Sequence, residues 1–154
     1  MVGITARIEQ VGKRAVKGVS DAMRYYAEVM LRDAIANAPR DTGSLEQALE
    51  IDFDYTGKNG RLAVTIRVDP SAPYINSNPN HKPTNKTVGD YAELMERYLR
   101  PHGRAAAGEK GYDARAGTVA KGPQAGGRYL ARAVRDHREA LLNRARNIVR
   151  RATQ

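Results

Sequence analysis

Three carboxylates at alternate positions, Glu50, Asp52 and Asp54, come closest in this sequence to the spacing of a metal site. Carboxylate oxygens are the ligands that Mg²⁺ and Ca²⁺ prefer in proteins. Alternate residues of a strand share one face, however, and a charged set with this period is usual on the solvent side of a half-buried strand. We therefore interpret these residues as the solvent-exposed face of a strand. The sequence predicts no metal and no other cofactor.

Nucleophilic and acid–base chemistry find little support in the remaining residues. The chain has no cysteine, its three histidines are isolated, and no serine stands in a nucleophile-elbow pattern. His81 lies in a polar loop and His137 lies among apolar residues, so we interpret one as solvated and the other as a core or boundary residue. The Gly-rich stretch 101–127 lacks the Gly-x4-Gly-Lys-Ser/Thr spacing of a phosphate-binding loop. We expect a protein that is not an enzyme.

Positive charge is concentrated at one end of the sequence. The 154 residues carry a net charge of +9; residues 1–99 have 13 basic and 13 acidic side chains, whereas residues 100–154 have 13 and 4. A helix predicted from about Gly127 to Ala152 places several arginines on its polar side, namely Arg128, Arg132, Arg135, Arg146 and Arg150. Such a face can contact nucleic acid or an acidic protein, and it is also common as a solvated helix face.

Two amphipathic helices account for most of the apolar residues. The final helix has an apolar stripe with steps of three and four, formed by Leu130, Val134, His137, Leu141, Ala145 and Ile148. A first helix is predicted from Thr5 to Ala38 on the stripe Ile4, Ile8, Val11, Ala15, Val19, Ala22, Tyr26 and Met30. A helix of this length would span roughly 50 Å and outreach the core of a small domain. Either residues 1–18 extend onto a neighbouring subunit on assembly, or the helix breaks near Gly18 and packs internally.

A turn and a hairpin follow the first helix. Pro39 lacks an amide hydrogen and ends the helix, and Gly43 permits positive φ in a turn. Apolar and polar residues then alternate over 49–56 and again over 61–68, separated by Gly57-Lys58-Asn59-Gly60. This pattern predicts an antiparallel hairpin with one apolar face. The acidic side of its first strand can pair with Arg61 and Arg67 of its second.

The rest of the chain is predicted as loops around one ambiguous segment. Residues 70–90 contain four prolines and several Asn and Ser, which indicates a long irregular loop, and 100–127 form a second, Gly-rich and basic one. Residues 90–99 suit either a helix or a strand. A length of 154 residues fits a single domain, 1–154. Without cysteine there are no disulfides, and without a continuous apolar run at the N-terminus we expect neither a signal peptide nor a membrane span, and hence a soluble protein.

Three segments in the same order resemble the bacteriophage neck or tail-completion family, small virion proteins that join the filled head to the tail. The first resembles the signature "Ala-Pro-x-Asp-Thr-Gly-x-Leu" through Pro39, Asp41, Thr42, Gly43 and Leu45. The second, Tyr91-Ala92 followed by Glu96, resembles "Tyr-Ala-x-x-x-Glu". The third, which includes Tyr129 and Leu130, is similar to "Pro-Phe-Leu-x-Pro-Ala-Leu", although both prolines are missing.

The resemblance implies an α+β fold, with a long N-terminal helix and a C-terminal helix packed on a small, mostly antiparallel sheet with long loops. It also implies a virion protein in a ring, six-fold by analogy, at the head-to-tail junction. The partners would be further copies of the chain, a head connector or adaptor, a tail tube or terminator protein, and passing duplex DNA, with no membrane. Two alternatives stay open: a tail-terminator ring, and a small basic nucleic-acid-binding protein.

Overall fold

The computed structural model describes residues 2–39, 43–53, 63–74, 87–89, 92 and 128–154, with side chains described from residue 10 onward. In chain order these residues form helix α1 (Val2–Asn37), helix α2 (Ser44–Gln47), strand β1 (Leu49–Asp52), strand β2 (Thr65–Val68) and helix α3 (Tyr129–Ala152). A long N-terminal helix, a C-terminal helix and a small antiparallel sheet between them confirm the α+β fold that was expected from the sequence.

Helix α1 runs without a break through Gly18, so the alternative of two shorter helices is wrong. Its 36 residues correspond to about 54 Å at 1.5 Å per residue. Gly18 serves the packing of the two long helices, because a Cβ at this position would lie 2.7 Å from the Ile148 Cγ2 atom of α3. The helix ends where the Ala38 amide donates to the Ala34 carbonyl at 2.7 Å, immediately before Pro39, which cannot donate.

Helix α3 lies antiparallel against α1. Ile148 near its end contacts Gly18, whereas His137 is hydrogen-bonded to Asp33 near the end of α1, with 2.5 Å between Nε2 and Oδ2. The helix begins at Tyr129 rather than at Gly127 as predicted. The residue before it, Arg128, has a φ of 58°, so it stands outside the helix in a left-handed conformation.

Strands β1 and β2 form the antiparallel hairpin that the alternation predicted, with Leu49 opposite Val68 and Ile51 opposite Ile66. Paired residues share a face, so these four apolar side chains lie on one side of the sheet. On the other side Arg67 donates to Glu50 at 2.8 Å and lies 3.4 Å from Asp52. The strands are shorter than predicted, since they include neither Phe53 nor Val64. Arg61, Asp54 and the predicted turn lie outside the described residues.

The chain after β2 returns to the same core. The Val88 amide donates to the Ala72 carbonyl at 3.0 Å, and Pro73 forms an antiparallel bridge with Thr87. The two ends of the predicted loop 70–90 are therefore paired with each other, which the sequence did not indicate. Val88, Gly89 and Ala92 are helical, which favours the helical alternative for the ambiguous segment.

One cluster of buried residues joins α1, α2, β1 and the start of α3. Its members are Met30, Ala34, Ala38, Leu45, Ala48, Leu49, Val88, Ala92, Tyr129 and Ala133. Half of them are alanine, so the backbones of these elements approach one another closely.

Candidate assembly surfaces

The described residues of the opening signature belong to the core. Pro39 is buried where α1 ends, and Gly43 follows with a φ of 86°, a left-handed conformation that glycine adopts without strain. This turn starts α2 and directs Leu45 into the core, where its exposure is 2 %. Asp41 and Thr42 lie outside the described residues. The signature therefore fixes the path of the chain from α1 to the sheet.

The other two segments of the resemblance contribute to the same core. Ala92 is helical and buried, while Tyr91 and Glu96 lie outside the described residues. Tyr129 is fully buried at the first position of α3, and Leu130 is partly buried against the core. The described members of the three segments thus hold the elements together and leave the surface to other residues.

The arginines of the C-terminal helix have different surroundings. Arg135, Arg146 and Arg150 are exposed, and their neighbours include acceptors: Arg135 pairs with Asp136 at 3.0 Å, and Arg146 donates to Asn143 at 3.1 Å. Arg132 is partly buried, and its Nε lies 3.4 Å from the carbonyl oxygen of Arg128. Arg128 itself precedes the helix, in the N-cap position.

The fold brings a second set of cations to the end of α3. Since α3 runs antiparallel to α1 and Ile148 meets Gly18, the exposed Lys13, Arg14 and Lys17 of α1 lie at the same end of the helix pair as Arg150 and Arg151. We call these five residues the basic end. Sequence reasoning missed it because more than 100 positions separate its two parts, and only the antiparallel packing reveals it.

An apolar groove lies between α1, the end of the hairpin and α3. Its volume is about 280 Å³. Its lining is apolar apart from Arg138, as far as the described residues go: Met23, Ala27, Met30, Val64, Ile66, Leu130, Val134 and Leu141. Val134, which the sequence placed in the core stripe, is 43 % exposed at this groove. The prediction was wrong for this residue because Tyr129 and Ala133, rather than Val134, face the core.

A wider cleft of about 500 Å³ lies near the crossing of the two long helices. Gly18, Ala22 and Ile148 line it together with polar side chains from both helices, namely Asp21, Tyr25, Tyr26 and Arg144. The rings of Tyr25 and Tyr26 meet edge to face, with 5.3 Å between their centroids. Among the described lining residues, Asp21 and Arg144 are the charged side chains of this cleft.

The strand carboxylates are held by a neighbouring cation. The hydrogen bond and the charge of Glu50 raise the pKa of Arg67, and Asp52 adds to this effect. Among the described residues no group of three His, Asp or Glu side chains is arranged to hold a metal ion. Glu50 and Asp52 both lie beside Arg67 on this face of the hairpin.

A comparison with protein-family models gives a match over residues 3–96, to the family described as "Bacteriophage HK97-gp10, putative tail-component". The chain belongs to this HK97-gp10-like family. The match covers α1, the opening signature, the hairpin and the Tyr91 segment, whereas α3 lies beyond the matched residues. Searches of curated protein sequences and of solved structures gave no match.

Membership makes the chain a bacteriophage protein of the tail-component class, consistent with a structural part of the virion. This confirms the resemblance drawn from the signature residues. None of the helices among the described residues has an apolar stretch of the length that crossing a bilayer requires.

Proposed function

We propose that this HK97-gp10-like protein is a structural virion protein that forms a ring at the head-to-tail junction and joins the DNA-filled head to the tail. The observation that carries the proposal is the family match over 3–96, which includes the opening signature and the long first helix. The function is mechanical: the protein binds its own copies within the ring, a head connector on one side and a tail tube or terminator on the other.

A structural role without catalysis is supported by what the polar side chains contact. Arg67 binds the strand carboxylates Glu50 and Asp52, and His137 binds Asp33 between the two long helices. These groups hold elements of the fold to one another. The described signature residues likewise pack in the core.

The ring is supported by the shape of α1. The helix continues well past the core residues, and residues 10–17, whose side chains are described, include none that is buried. A ring of identical chains requires each copy to present two different surfaces, one for each neighbour. We assign these two surfaces to residues 10–17 of α1 and to the apolar groove. By analogy with the neck proteins that the signature resembles, the ring has six copies.

The basic end is suited to transient contact with DNA that passes through such a ring. Arginine and lysine bind phosphate oxygens without reading the base sequence, which a channel for a whole genome requires. In the cluster of Lys13, Arg14, Lys17, Arg150 and Arg151 the cations come from two helices. The arginines in the first half of α3, in contrast, alternate with Asp136 and Glu139, which suits a protein partner better than a phosphate backbone.

The joining role is tested by electron microscopy of a phage lysate in which this gene carries a nonsense mutation. The proposal predicts filled heads and finished tails that lie unjoined. Intact joined particles would overturn it, and attached tails of uncontrolled length would indicate a tail terminator instead. A suppressor host that restores the full-length protein is the control.

Contact with DNA is tested by retention of the purified protein on duplex DNA at increasing salt. Phosphate contacts are lost steeply with salt, by roughly one logarithmic unit of affinity per contact for each tenfold rise in concentration. Replacing Lys13, Arg14 and Lys17 by glutamine should remove retention at low salt. The same change at Arg135 and Arg138 is the matched control and should leave most of it.

A further inference from the structure

The cleft near the crossing of the long helices and the apolar groove lie on opposite sides of α1. Asp21 and Tyr25 line the cleft, whereas Met23 and Ala27, two positions further on in each case, line the groove. Two positions correspond to about 200° around an α-helix. The helix pair therefore has an apolar side, which we assign to the ring, and a polar side that a different partner can contact.

The polar side carries arginines from both helices. Steps of three and four residues keep helix side chains on one face, and such steps connect Gly18 with Arg14 on α1 and Ile148 with Arg151 on α3. Because Gly18 meets Ile148, the exposed Arg14 and Arg151 flank the same end of the cleft. Arg144 is also exposed and lines the cleft itself. None of these three, which we call the cleft arginines, has a carboxylate partner among the described residues.

We propose that the cleft arginines bind phosphates of the DNA backbone, and that the phosphate at the cleft itself is bound by Arg144 and the hydroxyl of Tyr25. A guanidinium donates charge-assisted hydrogen bonds to a phosphate, and a phenol hydroxyl can donate one more. Tyr25 is 59 % exposed, and its ring is held by edge-to-face packing on Tyr26. The inference rests on the proposed DNA contact and extends it from the basic end to a defined site between the two helices.

The spacing of the cleft arginines suits one strand of a duplex. Arg144 and Arg151 are seven positions apart, which corresponds to about 10.5 Å along α3. The phosphates of one B-DNA strand recur at about 3.4 Å along the duplex axis, so a strand that runs along α3 meets the two arginines about three nucleotides apart. Arg14 flanks the cleft at the Arg151 end and adds a contact there. Contacts of this kind do not depend on base sequence.

The distribution of side chains favours a phosphate backbone over a protein segment at the cleft. A protein helix that docks in a groove is anchored by apolar side chains, and the apolar residues Val134 and Leu141 line the groove on the other side. The cleft arginines outnumber Asp21, the carboxylate of the described lining. Because Asp21 repels a phosphate, removing its charge should strengthen DNA binding.

The site is tested by fluorescence anisotropy of a labelled duplex with full-length protein over a series of salt concentrations. Arg144→Gln should lower the affinity roughly eightfold at about 0.1 M salt and reduce the slope of log affinity against log salt by about 0.9, as expected for one lost phosphate contact. Arg138→Gln is the matched control, because Arg138 is an exposed arginine of the same helix that lines the groove. It should leave the affinity and the slope nearly unchanged.

Two milder variants test the other side chains of the cleft. Tyr25→Phe keeps the ring and removes the hydroxyl, so it should lower the affinity without changing the slope, since no charge is lost. Asp21→Asn should raise the affinity. Both substitutions preserve the size of the side chain, and circular dichroism verifies that the helices are retained. Asp21→Asn protein that binds the duplex no more tightly than the wild type would contradict the site.

The outcomes separate this inference from the proposed function. If Arg144→Gln and Arg138→Gln bind the duplex as tightly as the wild type, the inference is overturned and the DNA contact of the basic end stands. Wild-type protein that does not bind the duplex at low salt overturns both of these, whereas the joining role is tested independently by the nonsense mutant. If Arg144→Gln keeps duplex binding and loses binding to a connector or tail protein, the cleft is a protein interface and the inference is overturned.

Discussion

The two halves of α1 have similar sequence patterns and different surroundings. Between residues 19 and 37 the helix buries Ala22, Ala27, Met30 and Ala34 against the sheet and α3. Between residues 10 and 17, the part of the first half with described side chains, none is buried, and Val16 is 55 % exposed. An apolar stripe therefore predicts which face of a helix is covered, but not how deeply the same chain buries each part of that face.

The largest expected difference in the free energy of unfolding between the two halves comes from shortening one apolar side chain in each. Met30→Ala leaves a cavity in the core and should lower the free energy of unfolding by about 2–5 kcal/mol. Val16→Ala removes an exposed side chain and should change it by less than about 0.5 kcal/mol. Chemical denaturation monitored by circular dichroism measures both. Equal losses would mean that the first half also belongs to the intramolecular core.

Glycine-to-alanine changes should have effects of opposite sign on stability at two positions of α1, one outside and one inside its contact with α3. At Gly12 an added Cβ meets nothing within 4 Å, so Gly12→Ala should stabilise the helix by up to about 1 kcal/mol. At Gly18 the Cβ would clash with Ile148, and Gly18→Ala should cost about 1–2 kcal/mol after the gain in helix propensity. Thermal unfolding distinguishes the two. Combining Gly18→Ala with Ile148→Ala should cost less than the sum of the two single changes, and strict additivity would refute the clash.

The hydrogen bond between Asp33 and His137 ties the second half of α1 to α3. Asp33→Ala should lower the free energy of unfolding by about 0.5–1.5 kcal/mol, because one partner of a half-buried hydrogen bond is lost. Glu28→Ala, an exposed carboxylate on the same half, is the control and should stay within about 0.5 kcal/mol. A double-mutant cycle with His137→Ala isolates the pair, and a coupling free energy of zero would contradict the contact.

The smallest effect concerns the turn after β2. The hydroxyl of Ser71, and then its backbone amide, donate to Asp69 and lower the pKa of that carboxyl. A lowered folded-state pKa stabilises the fold above the unfolded-state pKa, and this contribution is lost as pH falls through the folded-state value. Ser71→Ala should therefore raise the pKa of Asp69 in an NMR titration. Its stability deficit should exist at neutral pH and vanish in acid. An unchanged pKa would show that the backbone amide alone is responsible.

Much of the fold follows from periodicity and turn chemistry. The alternation around Ile51 and Ile66 predicted the hairpin, Pro39 predicted the end of α1, and Gly43 was expected to allow positive φ. These features are local, because each depends on residues within a few positions of one another. The signature segments also indicated the family, since the family model covers two of the three.

The features that the sequence did not reveal depend on contacts between distant residues. Gly18 looked like a weak point of a helix, and only its contact with Ile148 explains it. The rotation of α3 about its own axis buries Tyr129 and exposes Val134, and it is set by the close approach of α3 to α1. The apolar stripe of α3 is wider than this contact, so the stripe alone does not show which of its residues are buried. The basic end and the groove likewise require the antiparallel pairing of α1 and α3.

The central claim is that the second half of α1 folds the chain, whereas its first half, which lies outside the core, serves the assembly that we propose. Sedimentation velocity of the full-length variant Val11→Asp, beside Val16→Asp as a matched control off the stripe, tests it most directly. We predict a folded monomer for Val11→Asp and the wild-type assembly for Val16→Asp. A Val11→Asp protein that sediments as the wild-type ring would contradict the claim.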